Sequence, residues 1–275
     1  MLKKKLADIE KNLSQLSSFA VAFSGGVDST FLLAVAKKVD PERLLAITVL
    51  SQFVPKREIE LAKKISGSIG VEHICIDVDI LMDEDVIRNT LERCYYCKKQ
   101  IFSRIQQAAE RLGIKTLVHA VNLDDLKDFR PGLRASKELG FLSPLADAKC
   151  TKADIRQMSK HLGLETWDKP SQSCLATRIP YNERITADTL LMIDKAEALL
   201  QESGFAQVRV RCHGKTARIE VEPDLVNTIL KKEFRQKIST AFVRMGFEHT
   251  SVDIDGYRTG KMNQGILDEK PQSEK

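Results

Sequence analysis

No run of residues in this chain approaches the ~20 consecutive apolar positions of a membrane-spanning helix. No internal repeat or low-complexity tract is present, which sets aside solenoids, fibres and long disordered linkers. The histidines at 73, 119, 161, 213 and 249 make neither an HxH nor an HExxH spacing, so a histidine-based metal centre is not expected. The net charge of +5 comes without a long basic stripe. It suits nucleotide phosphates or a nucleic acid and by itself decides little between them. The opening MLKKKLADIEKNLSQL sets Leu2, Leu6, Ile9, Leu13 and Leu16 at helical spacing among lysines, without the apolar core of a signal peptide. Six irregularly spaced cysteines then point to a reducing compartment, with cytoplasm expected. In that setting a CxxC more often binds metal or does redox chemistry than staples the fold.

Of the 275 residues, 43% are hydrophobic and 29% charged, enough for one large core and a small satellite. Short β-branched runs at 19–23, 44–50, 73–79 and 116–121 alternate with helical patterns at 30–39, 57–70 and 94–113. This alternation predicts an α/β fold with a doubly wound parallel sheet. A further helix should start at Thr151, with Asp154 completing a capping box. After about residue 180 the pattern becomes that of a small α+β domain. It has a helix near 186–203, a hairpin about Gly214, a helix begun by Pro223 and a last strand, TSVDID. The expected division is residues 1–180, 181–264, and a polar, disordered tail over 265–275.

The segment FAVAFSGGVDSTFLLAVA carries the strongest chemical signal. A buried strand runs into Ser24, Gly25, Gly26, Val27, Asp28 and Ser29, and a helix begins at once, with Thr30 in its first turn. Glycines let the backbone approach a ligand and the helix amides face outward, so phosphate belongs there. Ser24, Ser29 and Thr30 add hydroxyl donors, whereas Asp28 would repel phosphate and suits Mg²⁺ or loop orientation. An ordinary glycine turn is the bland alternative. SGGVDS lacks the Gly-Lys-Ser/Thr of a Walker loop. It resembles the PP-loop of the Rossmann-like ATP pyrophosphatase superfamily, which implies that ATP is split between its α and β phosphates and that AMP is placed on an oxygen of the substrate.

A second cluster, NLDDLKDFRPGLRASKELGFLSPL, follows a strand end, where open α/β sheets bind ligands. Asp124 and Asp125 are candidates for Mg²⁺, and Arg130 and Arg134 for gripping phosphate or a carboxylate; a polar loop with internal ion pairs is the alternative. With KPSQSCLATRIPYNERIT, this segment is similar to the LarE family of ATP-dependent sulfur transferases, over nearly the whole chain. That resemblance implies a pyridinium biscarboxylate mononucleotide as substrate, on the way to the nickel-pincer nucleotide of lactate racemase. It also implies a hexamer, a sulfur-supplying Cys174 and positions for Thr177 and Arg178 beside the site. Chemically, a thiolate is a strong nucleophile toward an acyl-adenylate, and cations such as Arg178 or Lys98 favour it.

In ERCYYCKKQIF, Cys94 and Cys97 share a helix face with Lys98 beside them. With Cys174 they make three thiolates, which suits a 4Fe-4S cluster with one open iron. The resemblance links three-cysteine members to such a cluster and to repeated turnover with an external sulfide donor. A zinc site, a redox dithiol or plain core residues stay open. Cys75, Cys150 and Cys212 read as small hydrophobes.

In VRVRCHGKTARIEVE, alternation sends Arg209, Arg211 and His213 to one face, with Arg218 and Glu220 on the paired strand. Such a face suits an anion, or is a solvated surface with cross-strand ion pairs. The family's arginine pair for its substrate matches Arg209 and Arg211, and Glu197 is a further candidate. DGYRTGKMN also resembles the family, with no role assigned to Arg258 or Lys261. A tRNA thiolase and an iron–sulfur carrier with a vestigial loop are the rival readings.

Overall fold

The computed structural model describes residues 1–127 and 131–258. The expected tail, together with Arg130 and Lys261, lies outside the described residues. Two compact units divide after Gln172.

The first unit runs α1 (Leu2–Ser14), β1 (Ser18–Ala22), α2 (Val27–Lys38), β2 (Arg43–Leu50), α3 (Lys56–Ile69), β3 (Glu72–Asp77), α4 (Glu84–Ile87), α5 (Arg93–Arg111), β4 (Leu117–Val118), α6 (Gly132–Glu138), α7 (Pro144–Asp147) and α8 (Lys152–His161). Its sheet has the order β3-β2-β1-β4, all parallel, flanked by helices. A strand with neighbours on both edges and helices over its faces must be apolar throughout. Phe19, Ala20 and Val21 of β1 are accordingly fully buried, and Phe19 and Val21 share one core cluster with Phe31, Leu32 and Val35 of α2 and Ile155 and Met158 of α8. α8 starts as its sequence predicts: the Thr151 hydroxyl accepts from the Asp154 amide and the Asp154 carboxylate accepts from the Thr151 amide.

β4 is shorter than its apolar run suggests. Beyond Val118 the backbone leaves β1 for the segment before α7, and the His119 amide donates to the Leu142 carbonyl at 3.0 Å. The His119 ring is buried edge-on to Phe102 and Phe141, with Nε2 2.7 Å from Ser143 Oγ.

The second unit begins at Ser173 and contains α9 (Ala187–Glu202), β5 (Val208–His213), β6 (Thr216–Val221), α10 (Val226–Ile229), α11 (Lys232–Met245) and β7 (His249–Val252). β5 and β6 form the expected antiparallel hairpin about Gly214, and β7 adds parallel to β6. The chain divides upstream of residue 180 because Leu175–Arg178, a short 3-10 turn, is tied by Arg178 to α9. Pro223 starts only another 3-10 turn, and the helix expected there is split into α10 and α11 because Lys231 adopts an extended conformation. α11 ends at Gly246, whose φ of 109° lets the Phe247 amide reach back to the Phe242 carbonyl while the two rings pack 5.4 Å apart.

Burial pushes the His119 imidazole down to about 4. The unfolded chain takes up this proton near 6.5 and the folded chain resists until about 4, so stability is lost as pH falls through that window. Urea unfolding should show a loss of roughly 2 kcal/mol from this residue between pH 7 and pH 5. His119→Gln should shrink the pH dependence by about that amount; an unaltered dependence would mean the ring is not held neutral.

Candidate active site

The strand order reverses at β1, because β2 lies on one side and β4 on the other, and a crevice opens where their carboxyl ends part. The glycine loop fills that position. Gly25 has φ of 67°, and a Cβ on it would come within 3.0 Å of Ala62 Cα, so only glycine meets both demands. Ser29 Oγ lies 3.0 Å from Ser24 Oγ and donates to the Gly26 carbonyl at 3.2 Å, and the Gly26 amide donates weakly to Ser24 Oγ at 3.4 Å. α2 begins at Val27 with its first-turn amides turned toward the loop.

Asp28 and Thr30 stand in that first turn. The Asp28 Oδ2 accepts from Lys152 Nζ at 2.5 Å, whereas its Oδ1 is buried without a hydrogen-bond partner, as is Thr30 Oγ1. Burial raises the Asp28 carboxyl; Lys152 opposes that rise and Asp125 adds to it. A buried carboxylate oxygen without a donor fits a cation such as Mg²⁺. Asp124 is otherwise engaged, its Oδ2 capping the Lys152 amide at 2.8 Å. Asp125 Oδ2 accepts from the Asn122 amide, and Asn122 Oδ1 from the amides of Asp124 and Asp125. Lys152, which the sequence reading passed over, was signalled only by its place at the first turn of the Thr151 helix.

Cys94 and Cys97 lie in the first two turns of α5, Cys97 buried and Cys94 partly so. α6 crosses close by at Gly132, where a Cβ would stand 3.1 Å from Cys94 Sγ and 2.8 Å from Lys98 Cγ. Lys98 Nζ lies 5.5 Å from the Phe102 ring centroid. Arg134 pairs with Glu92 at 2.7 Å and stacks over Tyr95. No cysteine among the described residues is in a disulfide, and no group of three or more His, Cys, Asp or Glu among them forms a metal site. Cys75 is not a core residue: β3 is an edge strand, and the thiol is partly exposed 3.9 Å from His73 Nε2. Cys150 and Cys212 are buried and pushed up to about 11.

In the second unit one guanidinium organises the cysteine turn. Arg178 Nε and Nη2 donate to the two Glu197 carboxylate oxygens at 2.8 and 2.9 Å, with both side chains almost fully buried. Its Nη1 donates to the carbonyls of Ser173 and Cys174 and to Thr177 Oγ1. Glu197 also accepts from the Val210 amide. Removing one partner of such a buried pair costs about 3–5 kcal/mol, since the other charge is left uncompensated. The Cys174 carbonyl further accepts from the Thr177 amide and hydroxyl, while the residue itself is exposed.

Arg211 and His213 line a cavity of about 220 Å³ with Thr177, Tyr181, Arg218 and Glu220. The fully buried Glu220 accepts from Arg211 at 2.8 Å and from Arg218 at 3.3 Å, Arg218 also pairs with Asp253 at 3.6 Å, and with Arg178 in the lining three guanidinium groups border the cavity. Arg209 takes a different place: it is 1% exposed, donates to the Val208 carbonyl and lies 5.1 Å from the Tyr257 ring centroid. Burial and the neighbouring Arg178 push it down from its usual range.

Residues 1–129 match the PP-loop domain family. An uncharacterised protein of Synechocystis is 37% identical over 96% of this chain and 98% of its own. The pyridinium-3,5-bisthiocarboxylic acid mononucleotide synthase of Lactiplantibacillus plantarum is 32% identical over 96% of each chain. A tRNA-specific 2-thiouridylase of Rickettsia felis is 28% identical over only 56% of this chain and 52% of its own. No helix among the described residues is long and apolar enough to cross a membrane. The glycine loop at the switch point and the end-to-end likeness to the synthase agree, and this chain belongs to the LarE family of PP-loop ATP-dependent sulfur transferases.

Proposed function

We propose that this protein uses ATP to activate a carboxylate of pyridinium biscarboxylate mononucleotide and converts it to a thiocarboxylate for the nickel-pincer cofactor of lactate racemase. The observation that carries the reading is the match to the Lactiplantibacillus synthase over 96% of both chains. A thiouridylase, by contrast, is matched over about half its length.

In the first step a substrate carboxylate oxygen attacks the α-phosphorus and the bond to the α–β bridging oxygen breaks. Pyrophosphate leaves with that bond's electron pair, received by the loop amides and the Ser24, Ser29 and Thr30 hydroxyls. Asp28, through its unpartnered oxygen, would hold Mg²⁺ with Asp125 and Asp124 nearby in the electrostatics or the loop; bound there, the metal neutralises phosphate charge. In the second step a sulfur nucleophile adds to the acyl carbon and AMP leaves with the electrons of the acyl C–O bond. Arg211 and Arg218 hold substrate phosphate or carboxylate in the cationic cavity, with Arg209 behind them, while Arg178, Glu197 and Thr177 hold the turn of Cys174. Cys94, Cys97 and Cys174 are the thiolates that would hold a 4Fe-4S cluster, which supplies an exchangeable sulfide when bound. The setting is cytoplasmic, with an external sulfide donor and a hexameric assembly.

Pyrophosphate release measured with and without the pyridinium nucleotide tests the reading; stimulation by tRNA instead would redirect it to a thiolase, and no release at all to a carrier. Asp28→Ala should abolish release while leaving the iron content of anaerobically purified protein unchanged, because loop and cysteines serve different steps. Normal adenylation in that variant would remove the phosphate role of the loop.

Iron content also reports on the cysteines. Cys94→Ala, Cys97→Ala and Cys174→Ala should each lose most of it, whereas Cys75→Ala, Cys150→Ala and Cys212→Ala should keep it. If mass spectrometry shows Cys174 losing the elements of H₂S in step with product, the residue is sacrificed as the sulfur source and the cluster route is wrong.

A further inference from the structure

Lys169 stands five residues before Cys174 in the chain, yet its side chain belongs to the phosphate loop. Its Nζ donates to the Gly25 carbonyl at 3.2 Å and pairs with Glu58 Oε2 of α3 at 2.7 Å, with the two side chains 14% and 17% exposed. The lysine's own backbone is held in turn. Arg156 of α8 donates Nη1 to the Trp167 carbonyl and Nη2 to the Lys169 carbonyl, each at 2.7 Å, and the Lys169 amide donates to Thr166. The ammonium is therefore a fixed point, anchored to α8 through its main chain and to α3 through its charge.

Peptide geometry carries this contact into the loop. In a trans peptide the carbonyl and the following N–H point in opposite directions, and no peptide bond among the described residues is cis. Holding the Gly25 carbonyl toward Lys169 turns the Gly26 N–H to the other side, where it meets only the long 3.4 Å contact with Ser24 Oγ. A stronger acceptor displaces such a contact readily. Gly25 has no side chain with which to brace this peptide, and its left-handed φ leaves the plane dependent on outside contacts.

We infer that Lys169 is a positioning residue of the phosphate loop, setting the Gly25–Gly26 peptide so that the Gly26 amide faces the anion before nucleotide arrives. The inference rests on the loop being the ATP phosphate site. Preorganised donors bind their anion more tightly because they need no reordering on binding. The gain falls on the leaving pyrophosphate and not on the adenosine end of the ligand.

The test is calorimetric titration of the full chain with magnesium pyrophosphate and, separately, with AMP. Lys169→Met should weaken pyrophosphate binding about tenfold or more, a charge-assisted contact and its preorganisation being lost together. AMP affinity should stay within about threefold, and Lys169→Arg should recover part of the loss. Glu58→Gln, which leaves the ammonium but loosens it, should weaken pyrophosphate in the same direction, and it serves where the methionine variant does not fold. Unchanged pyrophosphate affinity in Lys169→Met overturns the inference, as does an equal loss of AMP and pyrophosphate. Tighter pyrophosphate binding in Glu58→Gln also overturns it, since that would make Lys169 a direct phosphate ligand. Wild-type protein that binds no pyrophosphate, and does not change with Asp28→Ala, would instead remove the loop reading on which the inference stands.

Discussion

The chemistry of the first unit depends on the parting of β1 and β4 at their carboxyl ends. A parallel sheet leaves a crevice there, and any loop crossing it must expose backbone amides with no strand to pair them. Ser24 to Ser29 answer that constraint with two glycines and with hydroxyls that turn back onto the loop's own backbone. Asp28 then brings a negative charge into a place otherwise built for anions. Burial lifts its carboxyl, Lys152 neutralises one oxygen, and the other is left without a donor. A carboxylate in that condition has more to gain from a cation than from a phosphate. The anion site therefore carries its own means of recruiting one.

The second unit solves a different electrostatic problem. Arg178, Arg209, Glu197 and Glu220 are all buried, and Arg211 and Arg218 stand beside them, so that four guanidinium groups share the carboxylates of Glu197, Glu220 and Asp253. Buried cations in excess of anions are costly unless hydrogen bonds or a ligand complete them. Main-chain carbonyls take up part of the excess: those of Ser173 and Cys174 serve Arg178, that of Val208 serves Arg209, and that of Thr177 serves Arg211. What is left over faces the cavity, which explains why this surface favours an anion and why its arginines also hold the turn together.

Much of this was legible in the residues. The strand–loop–helix at SGGVDS, the Thr151 capping box and the hairpin about Gly214 depend on local propensity and period, and the structure reproduces them. The shortened β4 was not legible, because it is decided by which distant backbone a residue pairs with, and the break between α10 and α11 was not, because no glycine or proline marks the extended Lys231. The 119–121 segment is apolar enough for a strand, but Leu142 offers the carbonyl that β1 does not. Arg209 shows the same limit in a side chain. Alternation assigns it the outward face of β5, yet Tyr257 covers it, and nothing in VRVRCH announces that cover. Lys152 and Lys169 escaped notice because a lysine beside a helix start or a proline is ordinary until its partner across the fold is known.

The sulfur role proposed for Cys174 asks for a residue that is held in place yet chemically free, and its turn separates those demands by atom. Its backbone carbonyl is bound by Arg178 and by the Thr177 amide and hydroxyl, so the main chain is fixed from several directions. The residue itself is exposed, and none of those bonds uses its sulfur. A thiol recruited into the same network would be quieter, because a donated or accepted hydrogen bond lowers the energy of the ground state that must be left. Placing the hydrogen bonds on the carbonyl confines the loss of entropy to the backbone and leaves the sulfur available, whether as a ligand or as the atom given up.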